Sequence, residues 1–132
     1  MKILVLGDPH ISKSTLNQYK YIFEEIYELI DTMKPDLFVS LGDTLHMHER
    51  VDMRCLCAAN EFYLNVAKKC KCIILIGNHD RENNRDYMSE IHPFTALSHC
   101  NNITVVDKTH VFEFESNEAE RKSQWDDQQL LF

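Results

Sequence analysis

Long apolar runs are absent from this chain of 132 residues. No stretch approaches the roughly 20 apolar residues that a membrane-spanning helix needs. The apolar run at the start, in MKILVLG, is too short and too β-like for a secretory signal peptide. The composition, 44% hydrophobic and 27% charged, is typical of a globular protein. We therefore expect an intracellular protein that does not interact with membranes.

Positive charge is also scarce, because 14 Lys and Arg residues stand against 21 Asp and Glu residues and give a formal net charge of −7. This balance argues against a protein that holds nucleic acid through a broad basic surface. It does not exclude a nuclease, since bound divalent cations supply positive charge at the site itself.

The five cysteines lack the spacing of a structural zinc site. A single residue separates Cys55 from Cys57 and Cys70 from Cys72, whereas zinc ligands usually follow C-x₂₋₄-C. The first pair falls in a predicted helix, where residues i and i+2 face different ways. We therefore expect reduced, partly buried thiols, as is usual inside cells.

Alternating strands and helices are predicted over the first part of the chain. Runs of branched apolar residues, typical of buried strands, lie at 2–6, 37–41 and 72–76. Between these strands, apolar residues at spacings of three and four predict one helix from about Leu16 and a second after Asp52. The first helix ends at Lys34-Pro35, because a residue before proline disfavours helical geometry. This order is typical of a parallel sheet covered by helices.

Polar residues near the helix starts are candidate caps. Thr15 and Gln18 have the spacing of a capping box, and Asp52 is a candidate N-cap for the second helix. The inner face of that second helix is predicted to begin with Met53 and Leu56.

The later part of the chain has weaker patterns. A short helix over 93–98 and strands over 103–106 and 110–114 are predicted, and no period is convincing from residue 118 onward. Trp125 and the final LLF indicate a packed end. Because no low-complexity linker interrupts the chain, we expect one domain over 1–132, with an unassigned tail over 118–132.

Glycine is rare, and each of the three glycines, Gly7, Gly42 and Gly77, lies where one of the first three strands should end. Glycine there allows the backbone to turn sharply. Polar residues that can bind metal or transfer protons follow these glycines, namely Asp8, His10, Asp43, His46, Asn78 and His79. In open parallel sheets, ligands bind beyond the carboxyl ends of the strands. We therefore expect these residues to converge at one edge of the sheet.

Such a cluster predicts metal-dependent chemistry at phosphorus. Carboxylate, amide and imidazole groups suit Mn²⁺, Fe or Zn²⁺ better than a soft, thiolate-binding ion. A carboxylate can bridge two cations, and cations about 3.5–4 Å apart acidify a water and neutralise charge on phosphoryl oxygens. A histidine that is not a ligand can protonate the leaving oxygen.

The motifs D-x-H, G-D-x-x-H and G-N-H-D, in this order, resemble the first three motifs of the calcineurin-like metallophosphoesterases. The stretches GDPHIS and GDTLH are most similar to the branch of SbcD-type DNA-repair nucleases. The resemblance covers residues 8–80. It implies an α/β fold, the N-terminal βαβαβ part of the calcineurin-like metallophosphoesterase sandwich, with the later strands truncated.

The resemblance also implies a ligand set for two metal ions, with Mn²⁺ expected and Fe or Zn²⁺ as alternatives. Asp8 and His10 would bind the first ion, Asp43 would bridge both ions, and Asn78 would bind the second ion.

Three further residues receive catalytic roles from the resemblance. His79 would orient the phosphate or protonate the leaving group, and Asp80 would hold the His79 imidazole in one orientation. His46 occupies the position of a histidine that helps to position or protonate the nucleic-acid strand in the nuclease branch.

The later histidine motifs of the family, a lone His after a strand and then Gly-His-x-His, have no recognisable counterpart in this chain. By analogy, the second ion keeps only Asp43 and Asn78 as ligands. Three later histidines are candidate substitutes, although solvated histidines are the simpler interpretation: His92, His99 and His110.

Three functions therefore stay open. The preferred hypothesis is a Mn²⁺-dependent phosphodiester hydrolase resembling the SbcD-type DNA exonucleases and endonucleases, in the cytoplasm, nucleoid or nucleus. The resemblance implies an SMC-like coiled-coil ATPase and a second copy of the chain as partners. The second hypothesis is a phosphodiesterase or phosphatase that acts on a small molecule. The third is a non-catalytic remnant that keeps the fold as a binding module.

Overall fold

The computed structural model describes residues 1–46, 50–82 and 90–114, together with the backbone of 129–131. Four strands form a parallel sheet in the order β1-β2-β3-β4. They are β1 (Ile3–Leu6), β2 (Leu37–Ser40), β3 (Lys71–Leu75) and β4 (Ile103–Val106). The structure therefore confirms the predicted α/β class and its parallel βαβαβ order.

Helices provide the crossovers that parallel strands require. Helix α1 (Leu16–Met33) connects β1 to β2, and α2 (Met53–Ala67) connects β2 to β3. A 3₁₀ helix, Thr95–His99, precedes β4 at about the position predicted for a short helix. None of the helices in the described ranges is long and apolar enough to cross a membrane.

The later residues form a separate two-stranded sheet. Strand β5 (Val111–Glu113) pairs antiparallel with β6 (Gln129–Leu131). The predicted strand over 110–114 is thus confirmed with a shorter extent. Trp125 and most of the tail lie outside the described residues.

The two helices cover one face of the sheet with an aromatic core. The rings of Phe23 on α1 and Phe62 on α2 stack with centroids 4.1 Å apart, and Phe38 on β2 meets Phe62 edge-on. The other face of the sheet packs against Phe112 of β5. Val5 on the edge strand β1 is 53% exposed, so the expected burial of this strand on both faces is wrong at that position.

The helix caps agree only partly with the sequence patterns. Asp52 caps α2, since its carboxylate accepts hydrogen bonds from the NH groups of Arg54 at 2.9 Å and Cys55 at 3.3 Å. The predicted capping box at Thr15 is wrong, because its hydroxyl oxygen accepts from the Ser12 NH and makes no cap bond to α1. Met53 is 77% exposed, so its predicted place on the inner face is also wrong.

The cysteines are free thiols, as expected. Cys55 and Cys72 are buried and Cys57 is exposed, which agrees with two residues of one helix facing different ways. Burial raises the pKa of the Cys55 thiol above its ordinary value. The Cys55 thiol is therefore a protonated core group at neutral pH.

Candidate metal centre

The ends of β2 and β3 approach each other closely enough to require glycine. Gly42 has a left-handed backbone with φ of 95°, and a Cβ added there would lie 2.6 Å from the Gly77 nitrogen. A Cβ added to Gly77 would overlap the main chain and carboxylate of Asp43. At Gly7 there is no atom within 4 Å of an added Cβ, and its φ is not positive. The turning role predicted for glycine therefore applies to Gly42 and not to Gly7.

Main-chain hydrogen bonds join the segment after β1 to the segment after β2. The His10 NH donates to the Asp43 carbonyl at 2.8 Å, and the Ile11 NH donates to the Thr44 carbonyl at 2.8 Å. The His46 NH donates in turn to the Ile11 carbonyl at 3.1 Å. This short parallel ladder brings the first two motifs together beyond the sheet, as the sequence predicts.

Two of the candidate ligands adopt a backbone that most residues avoid. His10 and Asp43 both have φ of 49°, in the left-handed region. Strained conformations of this kind cost about 1–3 kcal/mol each and are concentrated at functional sites. Hydrogen bonds hold both residues in place, since the His10 NH donates to the Asp43 carbonyl and the Asp43 carboxylate accepts from the His79 NH.

Three imidazoles meet at the carboxyl edge of the sheet. The ligand-capable atoms of His10, His46 and His79 all lie within 4.8 Å of one another. The ring centroids of His10 and His79 are 4.7 Å apart, and those of His10 and His46 are 5.6 Å apart. Among the described residues this is a group that could hold a metal ion. One histidine comes from each of the three motifs.

The His79 ring is held by main chain. Its Nδ1 lies 3.0 Å from the carbonyl oxygen of His46. A carbonyl oxygen only accepts hydrogen bonds, so Nδ1 must carry the proton in this contact. An imidazole with its proton on Nδ1 has Nε2 as its ligand atom, which is the arrangement common in metal-binding histidines.

Asp43 contacts residues of the other two motifs. Its Oδ1 accepts a hydrogen bond of 2.9 Å from the His79 NH, and its Oδ2 lies 3.7 Å from His10 Nε2. The Asn78 amide lies 3.2 Å from both oxygens of Asp43, and it donates to them when its nitrogen faces the carboxylate. The opposite orientation brings three oxygens together, which only a cation between them would favour.

Asp80 is a buried carboxylate that connects the segments carrying the candidate ligands. It accepts hydrogen bonds from the NH groups of Thr44 at 3.1 Å, Leu45 at 2.9 Å and Gly77 at 3.2 Å. Burial raises the pKa of Asp80, and the nearby Asp43 charge acts in the same direction. These bonds hold the segments after β2 and β3 together. Its expected role in orienting the His79 ring stays a prediction.

The donor set fits a divalent transition metal ion. Imidazole and carboxylate groups are suitable ligands for Mn²⁺, Fe or Zn²⁺. His10 Nδ1 is buried and has no hydrogen-bond partner among the described residues. A buried nitrogen without a partner costs about 1–3 kcal/mol, which fits a ring whose place is set by ligation. Asp8 and Asn78 are exposed, and among the described residues Asp8 does not join the histidine group.

The candidate substitute histidines do not join the cluster within the described part of the chain. His92 has its Nε2 3.3 Å from Asp107 and its Nδ1 accepts from the Phe94 NH at 3.2 Å. Its side chain is 2% exposed, so the expectation of a solvated histidine is wrong there. His110 packs on the Phe112 ring with centroids 4.4 Å apart.

Sequence reasoning missed the hydroxyl network under the site. The buried Tyr63 hydroxyl on α2 contacts the Ser40 hydroxyl at 2.8 Å and the Thr44 hydroxyl at 2.7 Å. Burial raises the pKa of Tyr63, which therefore stays protonated. Apolar periodicity places Tyr63 on the inner face of α2, but no sequence signal gives its partners. This network supports the segment that carries Asp43.

This chain has a parallel sheet with imidazole and carboxylate groups beyond its strand ends. The arrangement is that of α/β domains that bind their ligands at this edge of the sheet. The sequence model of the calcineurin-like phosphoesterases matches residues 1–129. The chain belongs to that family, as the three motifs predict.

Two viral proteins are similar in sequence. Over 117 residues the chain is 35% identical to a provisionally named phosphoesterase, 244L, of Invertebrate iridescent virus 6, covering 87% of this chain and 40% of that protein. Over 108 residues it is 32% identical to a provisionally named phosphoesterase, 078R, of Invertebrate iridescent virus 3, covering 82% and 31%. The chain thus spans less than half the length of both relatives.

A solved structure shares the fold. The crystal structure of the Pseudomonas putida nuclease MPE superposes with a TM-score of 0.54 and 24% sequence identity, over 79% of this chain and 46% of the nuclease. At this identity the similarity supports the fold.

Proposed function

We propose that this chain hydrolyses phosphodiester bonds with a bound divalent metal ion, Mn²⁺ in the first instance. The observation that carries the proposal is the convergence of His10, His46 and His79 with Asp43 beyond the ends of three parallel strands. Membership of the calcineurin-like phosphoesterases supports the reaction class. The Pseudomonas putida protein that shares the fold is a nuclease, which supports a diester rather than a monoester as substrate.

The candidate ligands are Asp8, His10, Asp43 and Asn78, with Asp43 shared if two ions bind. A bound ion would supply positive charge for the phosphoryl oxygens and an acidified water as nucleophile. Asp43 is prepared for this role because the His79 NH already holds one of its oxygens at 2.9 Å. His10 faces the other oxygen of Asp43.

His79 is proposed to handle the leaving group. Its Nδ1 lies 3.0 Å from the His46 carbonyl and donates to it, so we assign the proton transfer to Nε2. In the protonated ring, Nε2–H can donate its proton to the leaving oxygen as the P–O bond breaks. The hydrogen bond to the His46 carbonyl orients the ring for this transfer.

DNA is the proposed polymer substrate, in line with the resemblance to the SbcD-type nucleases. An SMC-like coiled-coil ATPase and a second copy of this chain are proposed partners on the same ground. A small phosphodiester or phosphomonoester is the alternative substrate, and a non-catalytic binding module is the alternative function.

The first test is Mn²⁺-dependent hydrolysis of bis(p-nitrophenyl) phosphate and of single-stranded DNA. We expect turnover that EDTA removes and that His79→Ala lowers about 10²- to 10⁴-fold, the usual contribution of general acid catalysis. His99→Ala, at an exposed histidine outside the cluster, is the matched control and should keep full activity. Cleavage of the small ester alone would favour the alternative substrate. No turnover by a folded, metal-loaded chain would contradict the proposal.

The ligand set is tested separately from turnover, by Mn²⁺ titration calorimetry. If Asp8 is a ligand, Asp8→Ala should weaken Mn²⁺ binding at least tenfold, whereas His46→Ala should change it less than threefold. The reverse result would move His46 into the ligand set with His10 and His79, a grouping that their mutual distances allow.

A further inference from the structure

A cavity of about 770 Å³ opens directly beside the histidine cluster. Its volume lies within the range of sites for small organic ligands. His46 belongs both to the cavity wall and to the cluster. The cavity is therefore an extension of the candidate metal centre.

The floor of the cavity is apolar and belongs to the hydrophobic core. Ile11, Leu45 and Cys55 line it, and each is only 2% exposed. Ile11 and Leu45 are paired in an isolated parallel bridge, the same ladder that positions His10 and His46. Val51, 36% exposed, forms part of the wall. An apolar floor of this kind suits the flat face of an aromatic ring.

The rim of the cavity carries two cations and one anion. Lys13 and Arg50 are exposed and contribute positive charge in a chain whose formal net charge is −7. The anion is Asp52, whose carboxylate is bound to the first NH groups of α2. The cations are therefore the groups left to attract an anionic ligand, and the cavity combines apolar and cationic recognition.

We propose that this cavity binds the nucleoside of the substrate, with the base against Ile11 and Leu45 and the phosphate directed at the histidines. The inference rests on the proposed function, because the metal centre beside the cavity defines where the phosphate lies. The cavity and the cluster are adjacent, because His46 lines the one and belongs to the other. A nucleotide carries an aromatic base and an anionic phosphate a short distance apart, so it could occupy both. A free phosphate would use only the cluster.

The test is an NMR titration of the full chain with 5′-dAMP and, separately, with inorganic phosphate, in Mg²⁺ because that ion is diamagnetic. We expect 5′-dAMP to shift the methyl signals of Ile11, Leu45 and Val51, and inorganic phosphate to leave them unchanged. ³¹P spectra show that the nucleotide stays intact during the titration. Methyl shifts elsewhere, or equal Kd values for the two probes, would overturn the inference.

Two pairs of variants sharpen the result. Val51→Trp fills the cavity, so it should raise the Kd of 5′-dAMP at least fivefold. The Kd of inorganic phosphate should stay within twofold of the wild type. Val111→Trp, at a half-exposed valine on β5, should change neither Kd. Lys13→Ala should weaken 5′-dAMP binding about threefold, and Lys108→Ala should have no effect. An unchanged 5′-dAMP Kd in Val51→Trp contradicts the inference.

Failure of this inference can be told apart from failure of the proposed function. Hydrolysis without methyl shifts in the cavity would contradict the nucleoside site and support the proposed hydrolysis. Methyl shifts without Mn²⁺-dependent hydrolysis would support a nucleotide-binding domain and contradict the proposed hydrolysis.

Discussion

Oδ1 of Asp43 accepts a hydrogen bond of 2.9 Å from the main-chain NH of His79, so a candidate metal ligand itself joins the segment after β2 to the segment after β3. Its Oδ2 lies 3.7 Å from His10 Nε2, which follows β1. This carboxylate of the second motif therefore contacts one residue of the first motif and one residue of the third. Its position is set by the fold, and a metal ion would bind a group that is already in place.

Charge at Asp43 should be essential for metal binding. Asp43→Asn keeps an oxygen that can accept from the His79 NH but removes the negative charge. We expect the Mn²⁺ affinity to fall at least tenfold, as measured by titration calorimetry, with the folded structure retained. Asp31→Asn removes the same charge on α1, where Asp31 pairs with Lys69, and should leave the affinity unchanged. Equal affinities in Asp43→Asn and the wild type would remove Asp43 from the ligand set.

The close approach at Gly77 should be intolerant of a side chain. Gly77→Ala introduces a Cβ that overlaps Asp43, so β2 and β3 must separate at their ends. We expect a loss of about 1–3 kcal/mol in the free energy of unfolding, measured by urea denaturation. Gly7→Ala meets no atom within 4 Å and should stay within about 0.5 kcal/mol of the wild type. Similar stabilities of the two variants would show that the strand ends are looser than described.

The Tyr63 hydroxyl should contribute to stability through its two partners. Tyr63→Phe leaves the fully buried hydroxyls of Ser40 and Thr44 without this partner, which should cost about 1–3 kcal/mol. Tyr21→Phe, at a tyrosine 76% exposed, is the matched control and should have no measurable effect. Chemical denaturation of both variants checks the difference. A cost below about 0.5 kcal/mol in Tyr63→Phe would mean that water replaces the lost hydroxyl.

The cap at Asp52 should make stability depend on pH in acid. Main-chain hydrogen bonds from Cys55 and Arg54 lower the pKa of Asp52 below its ordinary value of 3.8. The folded state therefore favours the carboxylate, and this stabilisation is full above pH 3.8 and is lost as the pH falls through the lowered value. Asp52→Ala should melt a few degrees lower than the wild type at pH 7, and the difference should shrink in acid.

Asp52→Asn is the control for this pH effect. Asparagine is also a good N-cap but does not titrate, so the variant should melt close to the wild type at pH 7. Its difference from the wild type should change only below pH 3.8. A constant gap between Asp52→Ala and the wild type across this range would show that the cap does not need the charge.

Much of the fold followed from patterns that act over short distances. Apolar periodicity placed α1 within one residue of its observed end, because Pro35 forces the chain out of the helix. The Asp52 cap was predictable because its partners are two and three residues away. Thr15 shows the limit of such patterns, since its hydroxyl bonds to the preceding turn at Ser12 instead.

Contacts between distant segments could not be predicted in the same way. The sequence indicates that Asp80 follows a metal motif, but its bonds to Thr44 and Leu45 depend on how two crossovers pack. The partners of the Tyr63 hydroxyl belong to the same category. Val5 is exposed because β1 lies at the edge of the sheet. The order in which the strands pair decides which strand lies at the edge, and local sequence patterns do not contain that order.

The amino-acid sequence alone was enough to predict the alternation of strands and helices, the family and the residues that end each strand, because these depend on local spacing and residue type. The folded structure was needed to establish that His10, His46 and His79 lie close together and that Nδ1 of His79 contacts the His46 carbonyl. It also established that a cavity opens beside His46. Such relationships depend on parallel strands in register and on backbone hydrogen bonds between segments far apart in the chain, and local patterns carry no information about either.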